Sequence, residues 1–191
     1  MLESDIAYVV RGTGSTGWAD AVSVAAVAAR TGRPILLTGG DRLPERTRTA
    51  LSAGDIREVV VVGGTAAVPG AAEEQLRSMG LTTSRLAGDD RYATSALVAS
   101  HGLALGMEPA FLWVASGGQF ADALASGPAA NWRGASLLLV PPAGAIPAST
   151  SVWLKEHVVR VEELQIVGGA AAIGADVERE LRSVLVGESG G

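Results

Sequence analysis

"VVVVGGTAAV" (Val59–Val68) sets four valines before a glycine pair and a run of small residues, and it returns as "LQIVGGAAAI" (Leu164–Ile173). Four consecutive valines leave no polar face. That is the pattern of a parallel strand covered on both sides. Gly63 and Gly64, and Gly168 and Gly169 in the second copy, read as turn glycines at strand ends, where positive φ and close backbone approach are needed. Pro69 then opens a helix at a position where a missing N–H does no harm. A strand, a glycine turn and a helix, written twice, point to an α/β protein.

The duplication extends outward from this block. "WADAV" (Trp18–Val22) recurs as "FADAL" (Phe120–Leu124), and "PILLT" (Pro34–Thr38) as "SLLLV" (Ser136–Val140). Leu43-Pro44 recurs as Ile146-Pro147, and "AEEQL" (Ala72–Leu76) as "VEREL" (Val177–Leu181). Five blocks in one order make the halves duplicates. Within each half, short β-rich runs alternate with helical stretches: "IAYVV", the helix from Trp18 to Arg30, "ILL", a helix after Pro44, then "VVVV" and the helix after Pro69. The expected fold is α/β: tandem duplicated units with mainly parallel sheets and helices packed on them. The expected units are residues 1–84 and 85–191. Loops gathered at one edge of such sheets are where ligands bind.

Composition narrows the class. The chain has 191 residues, is 48% apolar and carries a net charge of −5. It is too apolar to be disordered and too acidic for broad nucleic-acid binding. No apolar run approaches the ~20 residues of a membrane span. There is no cysteine, so disulfides and thiolate chemistry are excluded. The N-terminus "MLESDIAYVV" shows neither a basic nor an apolar leader segment, which fits either a cytosolic protein or a surface protein trimmed of its leader.

Catalytic constellations are poor. His101 and His157 fall at non-equivalent places in the repeat, with no repeated acid beside them. No G-x-S-x-G elbow or Gly-Lys-Ser/Thr loop occurs. "GTGSTG" (Gly12–Gly17) fits G-x-G-x-x-G after a strand and before a helix, and Asp41 stands near the place of a ribose-binding acid. Against a nucleotide, Asp20 falls in the first turn of that helix, and the second copy loses the glycines while keeping the acid as Asp122.

Charge concentrates in "RLAGDDRYAT" (Arg85–Thr94), at the junction of the two copies. Gly88 supports a turn, and Asp89 or Asp90 can cap the following helix. Arg91 then stands at a helix start, where the dipole disfavours a cation. That placement asks for an anionic partner, and Asp20 and Asp122 are the candidates. Arg85, Asp90, Arg91, Tyr92, Asp20 and Asp122 are therefore expected to form a polar clamp between repeats.

Together, "RLAGDDRYAT", "FADALASGPAA", "PILLT", "LP" and "VVVVGGTAAV" resemble the cell wall binding repeat 2 family of Gram-positive surface proteins and autolysins, from about Ala7 to Leu185. The resemblance implies a non-catalytic module, often in three tandem copies, that anchors a protein at the cell surface. Its implied partner is an anionic wall polysaccharide or teichoic-acid-like polymer, with no metal or cofactor. It also implies a polymer site at Pro34, Ile35, Leu36 and Leu37, and, through a weaker match, at Leu137, Leu138 and Leu139. Arg11, Arg33 and Arg42 are the expected anion contacts, since guanidinium groups bind such anions bidentately. Two copies stand where the family has three, so a homo-oligomer is one expected substitute for the third. Two rivals remain: a nucleotide-binding α/β enzyme using Gly12–Gly17, and a purely structural assembly unit.

Overall fold

The computed structural model describes residues 4–14, 17–53, 55–119 and 134–187. Its first sheet holds β1 (Ile6–Arg11), β2 (Ile35–Thr38), β3 (Glu58–Val62) and β4 (Thr82–Leu86) in the order β2-β1-β3-β4, all parallel. The second holds β5 (Phe111–Ser116), β6 (Ser136–Val140) and β7 (Glu163–Val167) in the order β6-β5-β7, again all parallel. The helices between them are α1 (Trp18–Thr31), α2 (Glu45–Ala53), α3 (Gly70–Ser78), α4 (Arg91–Ala104), α5 (Ala148–His157) and α6 (Ala175–Val186). Residues 120–133, which repeat α1 and include Asp122, lie outside the described residues.

The valine run of β3 is buried as its composition requires. Val60 and Val62 pack with Tyr8, Val10, Val24 and Val98 on one face of the sheet. Val59 and Val61 pack with Ala7, Val9, Leu51 and Leu76 on the other. So α2 and α3 cover one face, and α1 and α4 cover the face turned toward the second half.

The Arg-Tyr block is shared between the halves. By sequence it opens the second copy, but β4 pairs with β3 from Glu58↔Thr82 to Val62↔Leu86 and completes the first sheet. A boundary at residues 84/85 therefore cuts a strand. Beyond β4 the chain crosses into α4, which packs on α1, β6 and α5. Ser95 of α4 donates to Tyr92 O (2.9 Å), and its hydroxyl oxygen accepts the Leu139 amide of β6 (3.0 Å). This satisfies an outward amide on an edge strand that would otherwise be open to pairing.

α1 and α4 together make equivalent leucines unequal. Leu139 is fully buried against Ala19, Val22 and Ala115. Its repeat counterpart Leu37, on the uncovered edge strand β2, is 49% exposed. Leu139→Ala is expected to cost about 2–5 kcal/mol through transfer and cavity terms. Leu37→Ala is expected to cost less than about 1 kcal/mol. Urea denaturation midpoints of the two variants check the contrast.

Candidate functional site

A cleft of about 260 Å³ opens at the carboxyl ends of β1, β3 and β4, where the first sheet's connections diverge. Arg11, Asp20, Gly64, Asp89 and Arg91 are among its walls. This is the place an open parallel sheet offers a ligand.

The glycine loop serves Arg11. A β-carbon on Gly17 would lie 3.0 Å from Arg11 Cγ, and one on Gly14, at φ +83°, would lie 3.4 Å from its Nη2. Arg11 Nη1 donates to Ala66 O at 3.1 Å, while its buried Nε has no acceptor among the described residues. The guanidinium thus fills the space over the loop that a pyrophosphate would need. Asp20, in the first turn of α1, adds a carboxylate where that anion would bind. Both side chains weigh against a pyrophosphate seated on this loop.

Asp20 is buried, at 7% exposure, with its carboxylate against the Cα of Gly63. Gly63 has φ +108°, and any side chain there would collide with Asp20 Oδ2. Burial pushes the Asp20 carboxyl up to about 6, and the nearby Arg91 charge pulls it in the other direction.

Arg91 bridges the copies. Its Nη1 donates to Gly117 O, at the end of β5, at 2.5 Å. Its guanidinium carbon stands 6.0 Å from the Trp18 ring centroid on α1. Tyr92 packs beside it with Ala19, Val22 and Ala115, and burial raises its phenol pKa. Gly117 was not legible as a site residue; a β-carbon there would fall 2.6 Å from Tyr92 Cε1.

The other members of the expected clamp do local work. Asp90 caps α4, accepting from Tyr92 N (2.9 Å) and Ala93 N (2.7 Å) through Oδ1. Gly88 makes the turn before it; its N donates to Thr94 Oγ1 at 3.1 Å, and a side chain would strike Ala93. Arg85 points back into the first half. It donates through Nε to Glu73 Oε1 (3.0 Å), through Nη2 to Val68 O (2.8 Å) and through Nη1 to Gly63 O. It therefore fastens the Gly63-Gly64 turn, tying the start of the second copy to the first through β4 rather than through Asp20.

The expected polymer residues separate. Leu137, Leu138 and Leu139 are buried, so a polymer would have to displace helices to reach them. Ile35 packs into the core on one face and Leu36 on the other. Pro34 is half-buried, and Leu37 is the member of that segment offered to solvent. Leu37 lies against Gly12, one residue from Arg11. Arg42 is exposed on the loop after β2. Arg33 precedes β2, at the opposite edge of the sheet, and donates to Tyr8 Oη at 3.2 Å. Tyr8 Oη also meets His101 Nε2 of α4 at 3.1 Å. Burial, with Arg33 close by, lowers the His101 pKa. His157 stacks on Trp153, centroids 4.4 Å apart. Among the described residues neither histidine hydrogen-bonds a serine, threonine or acid, and no cluster of three metal-ligating side chains occurs.

Fold and cleft define a class: duplicated parallel α/β units, packed through shared helices, with their loops gathered at a sheet edge. The family model of Cell wall binding domain 2 matches residues 3–73 and 85–178, and the chain belongs to that cell-wall-binding family. The chain is 34% identical over 170 residues to N-acetylmuramoyl-L-alanine amidase LytC of Bacillus subtilis, covering 89% of this chain and 33% of the amidase. Among solved structures it is similar to Cwp8 from Clostridium difficile (TM-score 0.77, 26% identity, 98% of this chain and 30% of that one). It also shares the fold of Cwp6 from the same organism (TM-score 0.83, 24% identity, 95% and 28%). The chain thus spans about a third of the length of the relatives it matches.

Two outcomes follow from this geometry. Between pH 3.8 and about 6 the folded protein keeps the Asp20 proton that the unfolded chain has lost. Stability from this group therefore falls as pH rises through that window, by about 3 kcal/mol in all. The stability of Asp20→Asn relative to the parent should rise between pH 4 and pH 7 by up to that amount, as read from urea midpoints at the two pH values. Arg91→Ala should cost about 1–3 kcal/mol at pH 7, since it leaves Gly117 O and the buried Asp20 without their cation. An unchanged midpoint would remove Arg91 from the clamp.

Proposed function

We propose that this chain is a non-catalytic adhesion module that holds its parent protein at the cell surface by binding an anionic wall polymer. The observation that carries the reading is the family match over both halves of the chain. The relatives named for cell-wall enzymology, or found as Cwp proteins, exceed this chain in length about threefold, which suits a module carried beside other domains.

The proposed contact face is the carboxyl edge of the first sheet. Arg11 and Arg91 line its cleft, Arg42 stands exposed on a neighbouring loop, and Leu37 offers an apolar surface against Gly12. Arginines would meet phosphate or carboxylate groups through paired N–H donors, and the leucine would meet the apolar face of a sugar ring. Asp20, Asp89 and Asp90 share the neighbourhood, so general attraction between polymer and protein is weak. Affinity would come from local fit, and repetition along a polymer would multiply it. Pro34, Ile35 and Leu36 set the position of Leu37. The acidic net charge also makes salt a sensitive probe of this local binding.

Co-sedimentation with cell walls tests the reading. The protein should pellet with walls that keep their secondary polymers and remain in the supernatant with walls stripped of them. Arg42→Ala combined with Leu37→Ala should reduce retention at least fivefold without lowering the unfolding free energy by more than about 1 kcal/mol. Equal recovery with both kinds of wall would overturn the proposal.

A further inference from the structure

The two sheets differ by one strand. In the first, β3 is flanked by β1 and β4; in the second, its repeat β7 pairs with β5 and has no outer neighbour among the described residues. The inner-facing amides are fixed by Glu58 N, which donates to Asp5 O, and by Glu163 N, which donates to Ala110 O. Amides alternate sides along a strand. Leu164, Ile166 and Gly168 of the second half therefore point outward, as Val59, Val61 and Gly63 point toward β4. Gly63 N in fact donates to Leu86 O of β4 at 2.9 Å.

The receptor for β4's arginine is duplicated too. Around Arg85 stand Glu73, Gly63 O and Val68 O. Their repeats are Glu178, Gly168 and Ile173. Gly168 has φ +97°, against +108° for Gly63. The turn after it is closed the same way: Ala172 N and Ile173 N donate to Gly169 O, as Ala67 N and Val68 N donate to Gly64 O. The supporting ion pair is repeated as well. Arg77 holds Glu73 through Oε2 at 3.2 Å, leaving Oε1 for Arg85. Arg182 holds Glu178 through Oε1 at 2.8 and 3.0 Å, and Oε2 takes no bond from a described residue. A trough of about 360 Å³ runs along this edge, walled by Leu164, Ile166, Gly168, Ile173, Glu178 and Arg182.

We propose that the outer edge of β7 is a docking edge for a parallel polypeptide strand of the β4 type, whose next-to-last arginine enters the socket of Glu178, Gly168 O and Ile173 O. The backbone supplies the ladder, as in strand addition generally, and the buried guanidinium supplies selectivity. The occupant is an extended segment with the pattern Thr-Thr-Ser-Arg-Leu. An intact second copy of this chain is a poor occupant, because its own β4 is paired with β3 and its Arg85 is already bound on three sides. The inference stands apart from polymer binding and does not rest on it.

The test appends Thr-Thr-Ser-Arg-Leu-Ala after Gly191 of the full chain, with a control tail carrying alanine in place of the arginine. Hydrogen exchange is read at the amides of Leu164, Ile166 and Gly168. The arginine tail should slow their exchange at least tenfold, and the control tail at least threefold less. Glu178→Gln should abolish the difference between the tails while leaving the untailed protein folded. No protection from the arginine tail, or equal protection from both, would overturn the proposal. So would protection of the same amides in the untailed protein that grows with protein concentration, which would mark the edge as a contact between copies.

Discussion

Arg85 donates to Glu73, Gly63 and Val68 at once, and this anchorage fixes β4 on β3 while holding the glycine turn in place. The constraint behind it is simple. A parallel sheet leaves a row of unpaired amides and carbonyls on each outer strand, and each unit must have them covered. The first unit does not close its own edge; it borrows the leading strand of the next copy. The same segment then runs on as α4 and covers the edge and face of β6. One strand and one helix, twenty-odd residues, thus stabilise two different sheets. Duplicated sequence becomes an interlocked pair rather than two beads on a string.

The fold was legible because it depends on local patterns. Four valines in a row have nowhere to go except between two layers, and the glycine pair after them requires a backbone that only glycine adopts without strain. A cap at Asp89 or Asp90 was equally readable, since an N-cap is satisfied by amides two and three residues away, and the structure assigns it to Asp90. The site was less legible, because its residues are defined by what covers them. Leu37 and Leu139 occupy one position in the repeat, yet α1 and α4 cover only the second. Arg33 and Arg42 flank the same strand, but one lies at its amino end beside Tyr8 and the other at its carboxyl end. Nothing within a few residues of either distinguishes them. Gly117 carries no signal at all until Tyr92 is seen against it.

The "GTGSTG" loop teaches the same lesson from the opposite side. Its spacing and context satisfy a phosphate-binding pattern, and the strand and helix are where that pattern needs them. What overrides it is the residue just before the loop. Arg11 folds back so that Gly17 packs on its stem and Gly14 on its head, placing a cation of the protein's own beside the loop. The glycines are there for close approach, as the motif says, but the object approached is a side chain.

Burying Asp20 against Gly63 has an energetic consequence that bears on the cleft. A carboxyl held at about 6 is a group whose charge is expensive at neutral pH, and the fold keeps it because Arg91 stands near. Arg91 in turn is tied to Gly117 of the second unit. The charge of the first unit's helix and the position of the second unit's β5 are therefore coupled through one guanidinium. A polymer anion arriving at the cleft would compete with Asp20 for that cation, and it would have to be matched to the distance between Arg91 and Arg11 to gain from both. Under the proposed polymer binding, selection among anions would rest on spacing along the polymer, since a denser charge at a wrong spacing would meet Asp89 and Asp90 instead.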